Sequence, residues 1–300
     1  MKEFMAPVQS DFPVRGRSRP REGRINCIGY KGFHRIYYRD WGKTTSAETV
    51  FCLHGLTRNS RDFDPLAAVL ARKRRIVCPD LVGRGQSEWL ADGDGYQLPQ
   101  YNVDFNALVN RIGCETFDII GTSLGGLMGM AMAGMPKSPV RRLVVNDVAP
   151  EVPLTALRRL SNYLGEDPRF DSMEELEAYL RITFAPFGPM TDADWKRMAK
   201  TSARETDQGI GLAYDPAISY HYQRYWLLSY LDLWSYWRNI SCPVLILRGA
   251  ESDFLTQPLV TKMLESLPCA ELIEFEGVGH TPTLNAAEQI EPIRRWLDTN

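Results

Sequence analysis

The chain is predicted to be an α/β protein with a parallel sheet covered by helices on both faces. Between residues 49 and 146, short β-rich runs alternate with helical stretches, the rhythm of strand–helix–strand units laid side by side. From Pro150 to about Asn239 the rhythm stops, and it resumes at Pro243, so a helical insertion interrupts the sheet. Residues 116–135, TFDIIGTSLGGLMGMAMAGM, read as strand, sharp turn and helix, with Ser123 at the turn.

Taken in order, residues 1–24 are polar, with arginines at 15, 17, 19, 21 and 24, and read as a solvated arm. Ile25–Tyr30 and Arg35–Arg39 read as a β-hairpin turning near Lys31-Gly32, which puts His34 in the turn and facing solvent. Thr49–Leu53 is a buried strand ending in His54-Gly55-Leu56, and a helix capped near Asn59 or Ser60 should follow. Arg75–Cys78 is the next strand, then a helix from about Gln100 to Arg111, then the Ser123 turn, then a strand over Val140–Asn146. The insertion shows helices at 174–183 and 192–204 and no strands. Strands at Pro243–Arg248 and Ala270–Glu276, with helices over Leu259–Leu267 and Ala286–Leu297, complete the chain. The expected organisation is an arm at 1–24, a core at 25–149 and 240–300, and a helical cap at 150–239 that rides on the C-terminal edge of the sheet, where open α/β sheets bind ligands.

Gly121-Thr122-Ser123-Leu124-Gly125 fits G-x-S-x-G, which arises by chance in roughly one chain of this length in ten. The strand before it and the helix after it make it a nucleophile elbow, with the serine hydroxyl free of the backbone. The helix behind it presents free N–H groups and a positive dipole end to any negative charge that forms there.

Bulk properties narrow the function. A net charge of −2 and a pI near 6.1 give no basic face for nucleic acid. No apolar run approaches a membrane span, and the N-terminus lacks the apolar region of a signal peptide. Six cysteines without a C-x-x-C pair read as reduced thiols, and the expected location is cytoplasmic. No metal or organic cofactor is expected.

Further marks follow one another: His54-Gly55, Asp80-x-x-Gly83-x-Gly85-x-Ser87, Gly121-x-Ser123-x-Gly125-Gly126, Gly249-Ala250-Glu251-Ser252-Asp253 and Gly277-x-Gly279-His280. In this order they resemble the α/β-hydrolase family over roughly residues 25–298. The resemblance implies an eight-stranded, mostly parallel sheet with a cap after the sixth strand, and the order nucleophile, acid, histidine.

Ser123 needs a base, and the chain has four histidines. His280, in a loop directly after the last strand, is the expected base. His54 is expected to bond loop backbone, and His221 lies in the cap. The acid position of the family matches Asp253; Glu251 and Asp147 compete, Asp147 being the position some relatives use instead. The backbone N–H groups of Leu56 and Leu124 match the family's oxyanion hole. Asp80 is expected to hold a turn. Arg58, His221 and Trp226 are candidate pocket residues, with solvent or structural roles as the alternative. Tyr222, Trp226, Tyr230 and Trp234 recur every four residues, either packing the cap or lining an apolar pocket. The reading that follows is a serine hydrolase of a small, fairly apolar ester. A lactonase, a carbon–carbon bond hydrolase and a slow-turnover small-ligand receptor stand as alternatives on the same fold.

Overall fold

Apolar runs of the sequence become the central strands. The hairpin β1 (Arg21–Gly29) and β2 (Gly32–Trp41) leads into β3 (Thr49–Leu53), β4 (Arg75–Pro79), β5 (Phe117–Thr122) and β6 (Val140–Asn146). A short pair, β7 (Ala203–Thr206) and β8 (Gly209–Leu212), lies in the insertion, and β9 (Val244–Gly249) and β10 (Ala270–Phe275) follow it. In the computed structural model, which describes residues 19–220 and 232–300, eight of these strands form one sheet in the order β1-β2-β4-β3-β5-β6-β9-β10. The first two pairings are antiparallel and the rest are parallel.

Helices cover both faces because β3, β5, β6 and β9 are buried on both sides, as parallel strands are. Along β3, Phe51 and Leu53 join one apolar core while Val50 and Cys52 join the other. The first core takes α2 (Leu98–Ile112), α3 (Leu124–Ala133) and α8 (Gln257–Ser266). The second takes α1 (Asp64–Leu70) and α9 (Ala287–Thr299). Phe51, Phe105 and Phe117 meet edge to face at centroid distances of 5.0, 5.1 and 5.8 Å, locking α2 to the sheet.

Between β6 and β9 lie α4 (Leu154–Ser161), α5 (Met173–Thr183), α6 (Asp192–Ser202) and α7 (Trp234–Arg238). The starts of α5 and α6 carry ordinary capping chemistry. Ser172 accepts from the Glu175 N–H, and Thr191 and Asp194 form a reciprocal capping box.

Several expectations are corrected. The β1 strand begins at Arg21, inside the expected arm, because each of its residues from there finds a partner in β2. His34 is not in a solvent-facing turn. It pairs with Cys27 across the hairpin, and its Nε2 bonds to Asp104 of α2 at 2.8 Å, fully covered. The insertion does contain strands: α6 stops at Ser202, and 203–212 turn back on themselves as β7 and β8. Short four-residue strands in a helical context leave little periodicity to read. His221, Tyr222, Trp226 and Tyr230 lie outside the described residues, while Trp234 and Trp237 are buried. No helix among the described residues is long and apolar enough to cross a membrane.

Two features fix the loops at the C-terminal edge. The elbow is a backbone-to-backbone contact: a Cβ on Gly121 would lie 2.2 Å from the Gly125 carbonyl oxygen, and one on Gly125 would lie 2.0 Å from that of Leu53. The second is a buried knot around His54 and Asp80. His54 Nδ1 donates to the Gly55 carbonyl at 2.7 Å, and Nε2 accepts from the Leu81 N–H at 2.9 Å. The Asp80 carboxylate accepts from the Ser60 N–H at 2.7 Å and the Gln86 N–H at 2.8 Å. Burial dominates the titration of both: it holds His54 down to about 3, against a small upward pull from Gly55, and it pushes Asp80 up despite its amide donors.

Gly125→Ala should therefore destabilise the fold by about 3 kcal/mol, the upper end for overpacking, seen as a lower urea midpoint at unchanged slope. His54 is neutral when folded and has an ordinary pKa near 6.5 when unfolded, so its contribution is complete above pH 6.5 and is lost as pH falls towards about 3. Denaturant titrations between pH 7 and 4 should show wild-type stability falling more steeply than that of His54→Gln, by up to about 1.4 kcal/mol per pH unit. Parallel curves would contradict this.

Candidate active site

Ser123 sits between β5 and α3 with φ 51° and ψ −112°, a conformation uncommon for a side chain that carries a Cβ. Its N–H donates to the Asn146 carbonyl at 2.9 Å, which fastens the turn to the end of β6. The strained turn lifts the hydroxyl over the sheet edge, where Ser123 Oγ lies 3.1 Å from His280 Nε2.

His280 follows β10. Its Nδ1 lies 2.7 Å from Asp147 Oδ2, and the Phe254 ring stacks on the imidazole at 3.8 Å with 12° between planes. Asp147, directly after β6, has no exposed surface. Its Oδ2 also accepts from the Ser252 hydroxyl at 2.6 Å, and its Oδ1 accepts from the Gly249 N–H at 3.0 Å. With these donors around it, the carboxylate is an acceptor and takes its hydrogen bond from Nδ1–H. That leaves the Nε2 lone pair to accept the Ser123 proton.

The acid expected at Asp253 is therefore corrected to Asp147 as the partner of His280. Asp253 forks instead onto Arg159 of α4, with Nε to Oδ2 at 2.7 Å and Nη2 to Oδ1 at 3.0 Å. Burial tends to raise the Asp253 pKa, but the Arg159 bonds and charge outweigh it and hold the carboxyl below its ordinary value. Both acids lie just beyond the ends of adjacent parallel strands, β6 and β9, so either position reaches the histidine loop. The choice rests on Ser252 and Gly249, which furnish donors for Asp147, and on Arg159, which occupies Asp253. Glu251 does not line the cavity.

A cavity of about 510 Å³ opens above Ser123 and His280. Leu56 and Leu124 line it, and no acceptor for either backbone N–H is found among the described residues. Leu124 is the first residue of α3, where the helix has no partner for it. A Cβ on Gly55 would lie 3.8 Å from Ser123 Cβ, so the His54-Gly55 turn passes beside the nucleophile position. Arg84, fully buried, donates from Nε to the Leu56 carbonyl at 2.8 Å and from Nη1 to Tyr101 at 2.9 Å, which fixes the orientation of that turn. Nothing in the spacing of the sequence marked Arg84 apart from its place inside the Asp80–Ser87 motif.

Arg58 lines the cavity but is fully engaged, forked on Asp62 at 2.6 and 2.8 Å and bonded to Ser202 at 2.8 Å. The apolar wall includes Leu127, Val152, Leu157, Leu160 and Phe184. Among the described residues, one cluster has metal-ligand chemistry: Cys27, His34 and Asp104 lie within 4.8 Å of one another, but none of them lines this cavity. Its His34–Asp104 pair is a direct hydrogen bond.

A family model described as the alpha/beta hydrolase family matches residues 50–292. The 3-hydroxybutyrate-oligomer hydrolase of Cupriavidus necator is 40% identical over 279 residues, covering 90% of this chain and 95% of that protein. An esterase of Mycobacterium tuberculosis is 30% identical over 275 residues, covering 86% of this chain and 85% of that one. The crystal structure of an alpha/beta hydrolase from Novosphingobium aromaticivorans matches with a TM-score of 0.83 at 33% identity, covering 94% of this chain and 99% of that one. With the sheet, the elbow and the hydrogen-bonded serine, histidine and aspartate on one edge, and with hydrolases matched along nearly their full length, this chain belongs to the alpha/beta hydrolase family and is a hydrolase.

Proposed function

We propose that this hydrolase cleaves carboxylic esters through an acyl-enzyme, and that short oligomers of 3-hydroxybutyrate are its substrates. The observation that carries the chemistry is the relay from Ser123 Oγ to His280 Nε2 at 3.1 Å and from His280 Nδ1 to Asp147 at 2.7 Å. The substrate reading rests on similarity to the Cupriavidus necator protein along nearly all of both chains.

Ser123 attacks the ester carbonyl as its proton passes to His280 Nε2. The carbonyl oxygen gathers negative charge, and the N–H groups of Leu56 and Leu124 receive it. The carbon–alkoxy bond then breaks, and His280 returns the proton to the leaving oxygen. Water enters, gives a proton to His280 and attacks the acyl carbon. The Ser123 oxygen departs with that proton, and acid and alcohol are released. Asp147 holds the Nδ1 tautomer throughout and faces the imidazolium in each half-reaction. The wall of aliphatic side chains suits the methyl branches of hydroxybutyrate, and the cavity volume falls in the range of small-ligand sites.

Turnover of p-nitrophenyl esters of increasing acyl length, beside 3-hydroxybutyrate dimer and trimer, tests the reading. Ser123→Ala should abolish hydrolysis and keep the fold. Asp147→Asn should lower kcat by about 10⁴-fold, and Asp253→Asn by far less. Equal losses in Asp147→Asn and Asp253→Asn would overturn the assignment of the acid. A folded protein that reacts with a fluorophosphonate at Ser123 but turns over no ester would redirect attention to lactones, carbon–carbon substrates or ligand reception.

A further inference from the structure

The cavity wall carries more positive charge than ester cleavage by Ser123 needs. Among the described residues that line it, Arg58, Arg61, Arg159 and Arg197 face two carboxylates, Asp62 and Asp194, and neither lysine nor glutamate contributes. The carboxylates that hold Arg61 and Arg159, Asp64 and Asp253, do not line the cavity. A ligand entering therefore meets the Arg61 and Arg159 guanidinium groups with their counter-charges set behind them, whereas Arg58 and Arg197 have theirs, Asp62 and Asp194, in the wall itself.

The four arginines differ in what they have left to offer. Arg58 has all three nitrogens committed. Arg61 and Arg197 are more exposed and sit in pairs three residues apart, with Asp64 and Asp194 respectively. Arg159 is the most buried of the remaining three, with its side chain 28% exposed. Asp253 takes Nε and Nη2 and fixes the guanidinium plane, while Nη1 has no acceptor among the described residues. The guanidinium stands 5.4 Å from the Phe254 ring centroid, and Phe254 is the ring stacked on His280. Arg159 is thus one aromatic ring removed from the imidazole that protonates the leaving oxygen. Tyr163, four residues on, lines the same cavity, and burial keeps its phenol protonated, with its pKa pushed up to about 12, so it is a second donor there.

We propose that Arg159, held in place by Asp253, binds a free carboxylate on the leaving-alcohol side of the scissile ester, so that this enzyme selects esters of hydroxy acids whose acid end is unblocked. The inference rests on the ester-hydrolase reading and extends it to a residue and a substrate class. A guanidinium with a free N–H edge and a fixed plane recognises a carboxylate by charge-assisted hydrogen bonds, and its tether to Asp253 reduces the ordering cost of binding. In a 3-hydroxybutyrate oligomer, the leaving alcohol at the terminal ester is itself a hydroxy acid, so its carboxylate lies a few bonds from the oxygen that His280 protonates.

The test compares cleavage of the internal ester in 3-hydroxybutyrate dimer as the free acid and as its methyl ester, with p-nitrophenyl acetate as a neutral reporter. The wild-type protein should favour the free acid in kcat/KM by at least about tenfold, and the preference should shrink as salt is raised. Arg159→Met should reduce the ratio of free-acid to methyl-ester kcat/KM by about 10- to 100-fold, mainly through KM for the acid, and Arg159→Lys should restore part of it. The double variant Arg159→Met with Asp253→Asn removes both charges, so a stranded carboxylate cannot unfold it, and it should lose the same preference. Equal use of acid and methyl ester by the wild type, or equal losses on both substrates in the variants, would overturn the proposal while leaving ester hydrolysis intact. Failure of the wild type on p-nitrophenyl acetate and both dimers would overturn the ester reading and this one with it.

Discussion

A carboxylate cut off from water organises the C-terminal edge of this sheet. Asp147 is fully buried, and a buried charge is tolerated only when it is well supplied with donors. Those donors come from three places: the backbone at the end of β9, the hydroxyl of Ser252, and the ring of His280 after β10. One desolvated group thereby binds three strand ends to each other. The same bonds orient the His280 ring, because a carboxylate oxygen already accepting from Ser252 takes a hydrogen bond from Nδ1–H and leaves Nε2 turned to Ser123. The Phe254 ring closes one face of the imidazole, and the Asn146 side chain, bonded to the Pro282 carbonyl at 2.9 Å, pins the loop just beyond it.

Ser123 is held by a different kind of constraint. Its position depends on backbone passing very close to backbone, at Gly121 against Gly125 and Gly125 against Leu53. That closeness brings the Ser123 turn over the end of β3, and so beside the His54-Gly55-Leu56 turn that leaves the same strand. The buried knot of His54, Asp80 and Arg84 then prevents this second turn from relaxing. Hydrogen bonds to backbone at Gly55, Leu56, Ser60 and Leu81 are spread over three polar side chains that water does not reach. The Leu56 and Leu124 amides, for which no acceptor is found among the described residues, lie in loops whose other polar groups are bonded elsewhere.

Asp253 and Arg159 give the insertion a stake in the site. The loop after β9 could present an acid to His280, but α4 reaches down and takes that acid with both of its oxygens. The result is a charged wall of the cavity supplied by the insertion and a neutral, apolar wall shared with the core through Leu127 and Phe254. The serine–histidine–aspartate chain thus stands on the core and the Arg159 guanidinium on the insertion, with the Phe254 ring between them.

Much of this was legible in the residues. The alternation over 49–146, the strand–Ser123–helix turn and the loop position of His280 are local patterns, set by side-chain periodicity, glycine and backbone sterics that act over a few residues. The caps at Asn59, Ser172 and Thr191 are local in the same sense. What the sequence could not resolve was the choice between Asp147 and Asp253. Both stand at the ends of neighbouring parallel strands, and the choice depends on donors more than a hundred residues away from Asp147 and on an arginine 94 residues away from Asp253. His34 was misjudged for the same reason, since its partner Asp104 lies 70 residues on, across a hairpin packed under α2. By itself the sequence determined the fold class, the strand–turn–helix at Ser123 and the loop that carries His280, because those follow from short-range sterics and patterning. Only the tertiary structure decided which carboxylate faces His280 and which one Arg159 takes, because buried charges choose their partners by distance in space.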